Sequence, residues 1–433
     1  MLKPFRLLAA LLGLACAKVP PVTPSPESSP PTTLAADATT AAQAPPTAEP
    51  DSSPLSLLEG KSLAAAVNPF ALDVWAQVRK TPGNLVVSPA SIWMALAMTE
   101  AGARAETDAE MTKVLHLGAN AVALRSLAGR KVRAWNMPQP NLTFRVVNRL
   151  FGEKTYAFLP PFLADLRGTF GAPLETLDFK ENPGPSRERI NTWVAAATED
   201  RIRDLLPAPA VTKDTRLVLV NAVYLLMKWA SSFDKTLTAN APFLVDGKVP
   251  AQVPMMHQTQ TLGYAEVGGA KVLELPCRGG QLAMRFVLPA DPAGLPALEQ
   301  RLDAATLATF ATALAKTSVS VTLPRFTLAP PRSLALRPIL EALGMRRAFD
   351  ADVADFSGMA QPELGTRLVI ANVYHKAFVK VDEEGAEAAA VTGPRGAAAS
   401  PTPEFRADHP FLFLIVDARS GLVLFIGRVD DPR

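Results

Sequence analysis

The chain is short of the residues that carry most protein chemistry. It has two cysteines, Cys16 and Cys277, and four histidines, His116, His257, His375 and His409, in 433 residues. Two cysteines in such different surroundings make no disulfide framework, and scattered histidines make no metal site. No GxxxxGK or GxGxxG segment occurs, so no phosphate-cradling loop is signalled, and no cofactor is expected. The absence of GxSxG and HExxH removes the usual signatures of a hydrolase. Charge of one sign is also lacking: 44 basic against 41 acidic residues leave a net +3, which gives no reason to expect a nucleic-acid partner. No apolar run approaches the ~18 residues of a transmembrane helix.

What is present begins with a leader. Lys3 and Arg6 precede an apolar run from Leu7 to Ala15, and residues 1–15 read as a signal peptide. Leu12-Gly13-Leu14-Ala15-Cys16 resembles a bacterial lipobox, with Gly13 where leucine is usual, so Cys16 is the expected lipidation site and membrane attachment runs through that lipid. An ordinary signal peptide cut a few residues later is the alternative. In both cases the protein is expected outside the cytoplasm, lipid-anchored to a bacterial membrane or secreted. Residues 16–60 are rich in Pro, Ala, Ser and Thr. They bury too little to offset their ordering entropy and read as a disordered, extended tether. At ~3 Å per residue in polyproline II, it would hold a domain up to roughly 100 Å from its anchor.

Composition turns globular near Asn68, and residues 61–433 read as one domain. Residues 70–79 carry apolar side chains at helical spacing. Ser88 and Pro89 open a second helix, one as cap and the other in the first turn, and Gly102 closes it. A third helix is expected over 106–115, capped near Thr107. Later the pattern changes. Residues 216–226 are nearly all apolar and β-branched, like a strand buried on both faces. Val319, Val321 and Leu323 alternate with small polar residues. Residues 411–416 and 422–426 are apolar runs joined by a turn, a hairpin. Helices early and strands late, without repeats or regular βαβ alternation, indicate an α+β fold.

Several fragments carry more. Asn84-Leu85-Val86-Val87-Ser88-Pro89-Ala90-Ser91-Ile92 is followed by Asn148-Arg149-Leu150-Phe151, Asp178-Phe179 and Ile190-Asn191-Thr192-Trp193-Val194. Then come Asn221-Ala222, Trp229, Val253-Pro254-Met255-Met256, Leu323-Pro324-Arg325-Phe326, His375-Lys376-Ala377-Phe378 and Asp408-His409-Pro410-Phe411. In this order they resemble the serpin family over about residues 68–433. The resemblance implies a serpin fold: helices packed on a large mixed β-sheet, further sheets, and an exposed reactive loop. It also implies a monomer that is no enzyme but a serine protease inhibitor. Two departures concern packing: Leu225, Leu226 and Met227 stand where lysine and glycine usually follow, and Cys277 replaces a tyrosine and reads as a small core thiol.

Between Val381 and Phe411 lies a segment of small residues. Read alone, it is a flexible loop or linker. The resemblance places the reactive loop there, at about 383–404, with a hinge formed by Glu383, Glu384, Gly385, Ala386, Glu387, Ala388, Ala389 and Ala390. In the family the protease cleaves the loop, is caught as an acyl-enzyme on its own serine, and is dragged as the loop inserts into the main sheet. Side chains alternate along a strand, so Ala386, Ala388, Ala390, Thr392, Pro394, Gly396 and Ala398 share the face that would be buried. All are small or compact, although Pro394 forfeits one ladder bond. The family's spacing, taken forward from Gly385 and back from Pro410, gives Ala399-Ser400 as the reactive bond. Alanine before the bond implies elastase-like or subtilisin-like partners with a preference for small residues. The resemblance also assigns Ser88, Ser91, Asn221 and His375 to a polar cluster that controls sheet opening, with Trp229 near the point where the loop first inserts. The alternative is a non-inhibitory serpin acting as a binding or chaperone-like protein; such members often carry bulky or charged hinges.

Overall fold

The structure, a computed structural model, describes residues 53–138, 142–361, 367–384 and 402–433. The first helix, Leu57–Val78, starts at a reciprocal cap. The Ser56 N–H donates to the Glu59 carboxylate at 2.7 Å, and the Glu59 N–H donates to the Ser56 hydroxyl at 3.3 Å. This start lies inside the stretch read as tether. Pro69 sits within the helix and interrupts the apolar pattern, so the sequence signal becomes readable only after it. Leu63, Val67, Phe70 and Val74 form its buried stripe.

The second helix, Pro89–Glu100, is buried along its whole length, and Ser88 caps it as expected. The third, Ala105–Val114, starts at Arg104 without a side-chain cap. Thr107 does not cap it; its hydroxyl instead accepts the Asp355 N–H at 3.0 Å, tying the helix to a distant loop.

A six-stranded sheet runs in the order Phe326–Leu328, Ile370–Val381, Leu217–Met227, Leu142–Glu153 and Glu175–Leu177, with Leu334–Ala335 paired to Ile370–Val381. One face of Leu217–Met227 puts Val218, Val220, Ala222 and Tyr224 against the cluster of Ile190 and Val194, on the helix Pro183–Ala197. The other face puts Leu219, Val223 and Leu225 into the main core with the helix Pro89–Glu100. Burial on both faces explains the continuous apolar run.

The nine-stranded sheet runs Leu85–Val87, Val423–Val429, Phe411–Asp417, Leu282–Pro289, Ala270–Pro276, Val249–Val267, Ala315–Pro324 and Glu404–Arg406, with Ala239–Val245 paired to Val249–Val267. The expected hairpin is its antiparallel pair Phe411–Asp417 and Val423–Val429. Helices and mixed sheets together make the α+β architecture. No described helix is long and apolar enough to cross a membrane.

One buried ion pair ties the strand Val423–Val429 to the helix Leu295–Gln300, and its arginine also reaches the segment after the first helix. The Arg428 guanidinium lies 3.0 Å from Glu299 and donates to the carbonyls of Thr81 and Gly83, with both charged side chains almost fully buried. Arg428→Met is expected to leave the Glu299 carboxylate buried and uncompensated, lowering stability by about 3–5 kcal/mol in urea unfolding. Adding Glu299→Gln should restore part of the loss.

Candidate functional site

The central feature is a seam. Ile370–Val381 and Leu217–Met227 lie side by side in parallel, in register from Asn372 opposite Val218 to Val379 opposite Leu225, with a bulge separating this run from the pair Ile370 and Leu217. Their outer neighbours, Phe326–Leu328 and Leu142–Glu153, are antiparallel to them. No strand lies between them. A chain that turned back after Val381 would run antiparallel to both, so among the described strands of this sheet it is here that a returning strand gains two antiparallel ladders.

Beneath the seam the expected polar cluster is assembled. His375 and Asn221 face each other across it. The backbone N–H of Ser88 donates to His375 Nε2 at 3.1 Å, so that nitrogen is the acceptor and Nδ1 carries the proton, which it donates to Asn221 Oδ1. The Asn221 amide in turn donates to Ser91 Oγ and to Asn148 Oδ1. Ser88 Oγ donates to the Leu424 carbonyl at 2.8 Å and accepts from the Ser91 N–H. Both hydrogens and the oxygen of the Asn221 amide are thus engaged. In an apolar interior, breaking such a closed network leaves polar groups orphaned at about 1–3 kcal/mol each.

Asn148 belongs to this cluster, although the sequence reading quoted it only as part of a motif. Its place follows from register: it stands opposite Asn221 on Leu142–Glu153. An asparagine on the core-facing side of the strand, between Val146 and Leu150, was the available signal.

At the upper end of the seam the acids that lead into the expected hinge are pinned. Trp229 Nε1 donates to the Asp382 carbonyl at 2.9 Å, and Thr238 Oγ1 donates to the Glu383 carboxylate at 2.8 Å. Lys380 pairs with Asp382 at 2.7 Å, Arg325 with Glu383 at 3.6 Å, and Lys235 with Glu384 at 3.1 Å. Three consecutive acids are therefore held by cations from three separate places in the chain, around a cleft of about 570 Å3. Trp229 also bridges to Cys277, a buried thiol 3.4 Å from Met227 Sδ. Burial pushes that thiol up to about 12, which makes it a packing group.

Gly385, Ala386, Glu387, Ala388, Ala389, Ala390, Pro394, Ala399, Ser400 and Cys16 lie outside the described residues. The described flanks sit on different sheets. Glu384 follows the six-stranded sheet, whereas Glu404–Arg406 pairs in parallel with Ala315–Pro324, where the Ser320 N–H donates to the Pro403 carbonyl at 2.9 Å. Among the described residues no group of His, Cys, Asp and Glu is placed to hold a metal ion.

Burial drives His375 down to about 3. The folded chain leaves this imidazole neutral down to that pH, whereas the unfolded chain protonates it below about 6.5. Its contribution to stability is therefore complete above pH 6.5 and is lost progressively as pH falls from 6.5 towards 3. His375→Gln is expected to lower the urea midpoint at pH 7.5 and to show a shallower decline between pH 6.5 and 4 than the wild type. Equal slopes for the two proteins would remove His375 as the titrating group.

The serpin family model, described as serine protease inhibitor, matches residues 65–432. The chain is 38% identical over 386 residues to the leukocyte elastase inhibitor of Homo sapiens, a match covering 86% of this chain and all of that protein. It is 36% identical to human Serpin B3 over 395 residues, with the same coverage. Among solved structures, uncleaved ovalbumin superposes with a TM-score of 0.78 at 28% identity, covering 86% of this chain and all of ovalbumin. Serpin48 of the insect Tenebrio molitor superposes at 0.73 and 30% identity, covering 86% of this chain and 98% of its own. With this fold and a family match over residues 65–432, the chain belongs to the serpin family.

Proposed function

We propose that this protein inhibits elastase-like or subtilisin-like serine proteases as a suicide substrate. It is a protease inhibitor and not an enzyme. The observation that carries this reading is the closed parallel seam. The strand Ile370–Val381 leads directly into the small-residue segment that begins at Gly385, and the seam beside it is the place where that segment can pair on both sides. A dozen or so new ladder bonds at ~0.5–1.5 kcal/mol each amount to on the order of 10 kcal/mol, comparable with the stability of a whole domain. That is enough to drag a protease attached as an acyl-enzyme and distort its active site. The alanine-rich hinge speaks against a non-inhibitory role, and relatives named leukocyte elastase inhibitor support a partner that accepts small residues.

We place the reactive bond at Ala399-Ser400. The test is Ala399→Arg, which should move SDS-stable complex formation from elastase to trypsin, because the side chain before the bond fills the specificity pocket. Retained elastase complexes with none on trypsin would show the bond to be misplaced.

Export with a lipid at Cys16 is our reading of the N-terminal stretch that precedes the family match. It rests on the basic start, the short apolar run and the lipobox-like sequence. Cys16→Ser is expected to release the protein from the membrane fraction of a bacterial host, and a mutant that stays with the membrane would exclude lipid attachment.

A further inference from the structure

Two departures of this sequence from the serpin pattern meet in space. Met227 ends the strand Leu217–Met227, where lysine and glycine usually follow, and Cys277 stands in place of a tyrosine. The Cys277 thiol donates to Met227 Sδ at 3.4 Å. The backbones are joined as well: the Arg278 N–H donates to the Lys228 carbonyl at 2.7 Å, and the Ala230 N–H to the Pro276 carbonyl at 2.9 Å. Trp229, between those two bonds, is bridged to Cys277 and gives its indole N–H to the Asp382 carbonyl. A pair of sulfurs thus sits beside the contact that pins the first of the acids leading into the expected hinge.

The two sulfurs differ in reactivity. A thiol meets oxidants as its thiolate, and burial keeps Cys277 protonated, pushing it up to about 12. A thioether has no proton to lose and offers its lone pair directly. Access then separates Met227 from the other methionines. Eleven occur in the chain; Met1 lies outside the described residues, and among the other ten only Met137 and Met227 escape full burial. Met137 is exposed at the end of the helix Ala121–Asn136, whereas Met227 is half-buried against Cys277.

We propose that Met227 is a site of oxidation by hydrogen peroxide, and that its sulfoxide releases the contact between Trp229 and Asp382. The lone pair of the Met227 sulfur takes one peroxide oxygen, the O–O bond breaks, and the other oxygen leaves as water with both peroxide protons. Sulfur is oxidised by two electrons, the peroxide is reduced, and Cys277 stays a thiol. The product places a strong acceptor where a thioether met a thiol. A thiol is a weak donor, and an acceptor held in that contact without a strong one is costly. Water relieves the cost when the strand end moves outward. Trp229, two residues along, moves with it, and its indole parts from the Asp382 carbonyl. An oxidant thereby reaches a restraint at the top of the seam, and neither half of the proposal depends on the inhibitory reading.

The experiment treats the full chain with hydrogen peroxide, maps the added oxygen by peptide mass spectrometry, and follows exchange of the Trp229 indole N–H by NMR, with the resonance assigned through Trp229→Phe. Met137 and Met227 should each gain one oxygen before any buried methionine, with Cys277 unmodified. In Met137→Leu, peroxide should then speed the indole exchange at least tenfold. Adding Met227→Leu should keep that exchange slow with or without peroxide. Met227 left unoxidised when Met137 is fully converted overturns the site. Sulfoxide at Met227 with unchanged indole exchange overturns the release, as does peroxide-accelerated exchange that persists without Met227. The first two readings use no substitution at Met227, so they decide the proposal even where leucine disturbs the strand end.

Discussion

Everything in this molecule turns on one contact between two parallel strands. Leu217–Met227 and Ile370–Val381 satisfy each other's backbone groups directly, and the sheet is closed. Yet a parallel ladder between strands whose other neighbours are antiparallel is the place where a sheet can gain an additional member without reversing any existing strand. The native arrangement is thus complete in its hydrogen bonding while a richer one exists for the same sequence. What separates them is the work of parting the two strands, concentrated in a few polar groups under the seam.

Those groups form a single closed circuit. Asn221 sits at its centre, and its amide is fully used by His375, Ser91 and Asn148. Because the circuit is buried, its strength comes from the absence of competing water, and it fails as a unit. The pinned acids add a second restraint of a different kind. Their ion pairs are largely exposed at the cation end and individually worth little, but they act on three successive residues, Asp382, Glu383 and Glu384. The seam is held from below by desolvated hydrogen bonds and from above by exposed charge pairs, so added salt weakens the upper restraint and leaves the lower one.

Much of this was legible in the sequence. Ser88-Pro89 announced a helix start, and the resemblance added Ser88 to the cluster: its hydroxyl caps the helix while its backbone N–H donates to His375. The run 216–226 announced a strand buried on both faces. Other features were hidden for physical reasons. The helix at Leu57 was masked by Pro69 and by the small-residue composition ahead of it. Thr107 looked like a cap because caps are local, whereas its hydroxyl serves Asp355, far along the chain. Asn148 joins Asn221 only through strand register, and the Trp229 contact with Asp382 joins residues distant in sequence. Composition carries neither register nor long-range contact.

The nine-stranded sheet places Phe411–Asp417 and Val423–Val429 well inside its order, between Leu85–Val87 and Leu282–Pro289. Both are synthesised after every other described strand. Until they emerge, Leu85–Val87 has no neighbour to join, Glu299 lacks Arg428, and Ser88 lacks the Leu424 carbonyl that its hydroxyl engages. Domains often begin folding as they emerge, but here the nascent chain is denied its nine-stranded sheet until these two strands are made. The timing of completion is therefore set by them, and a chain without them would expose the apolar faces of the strands they join.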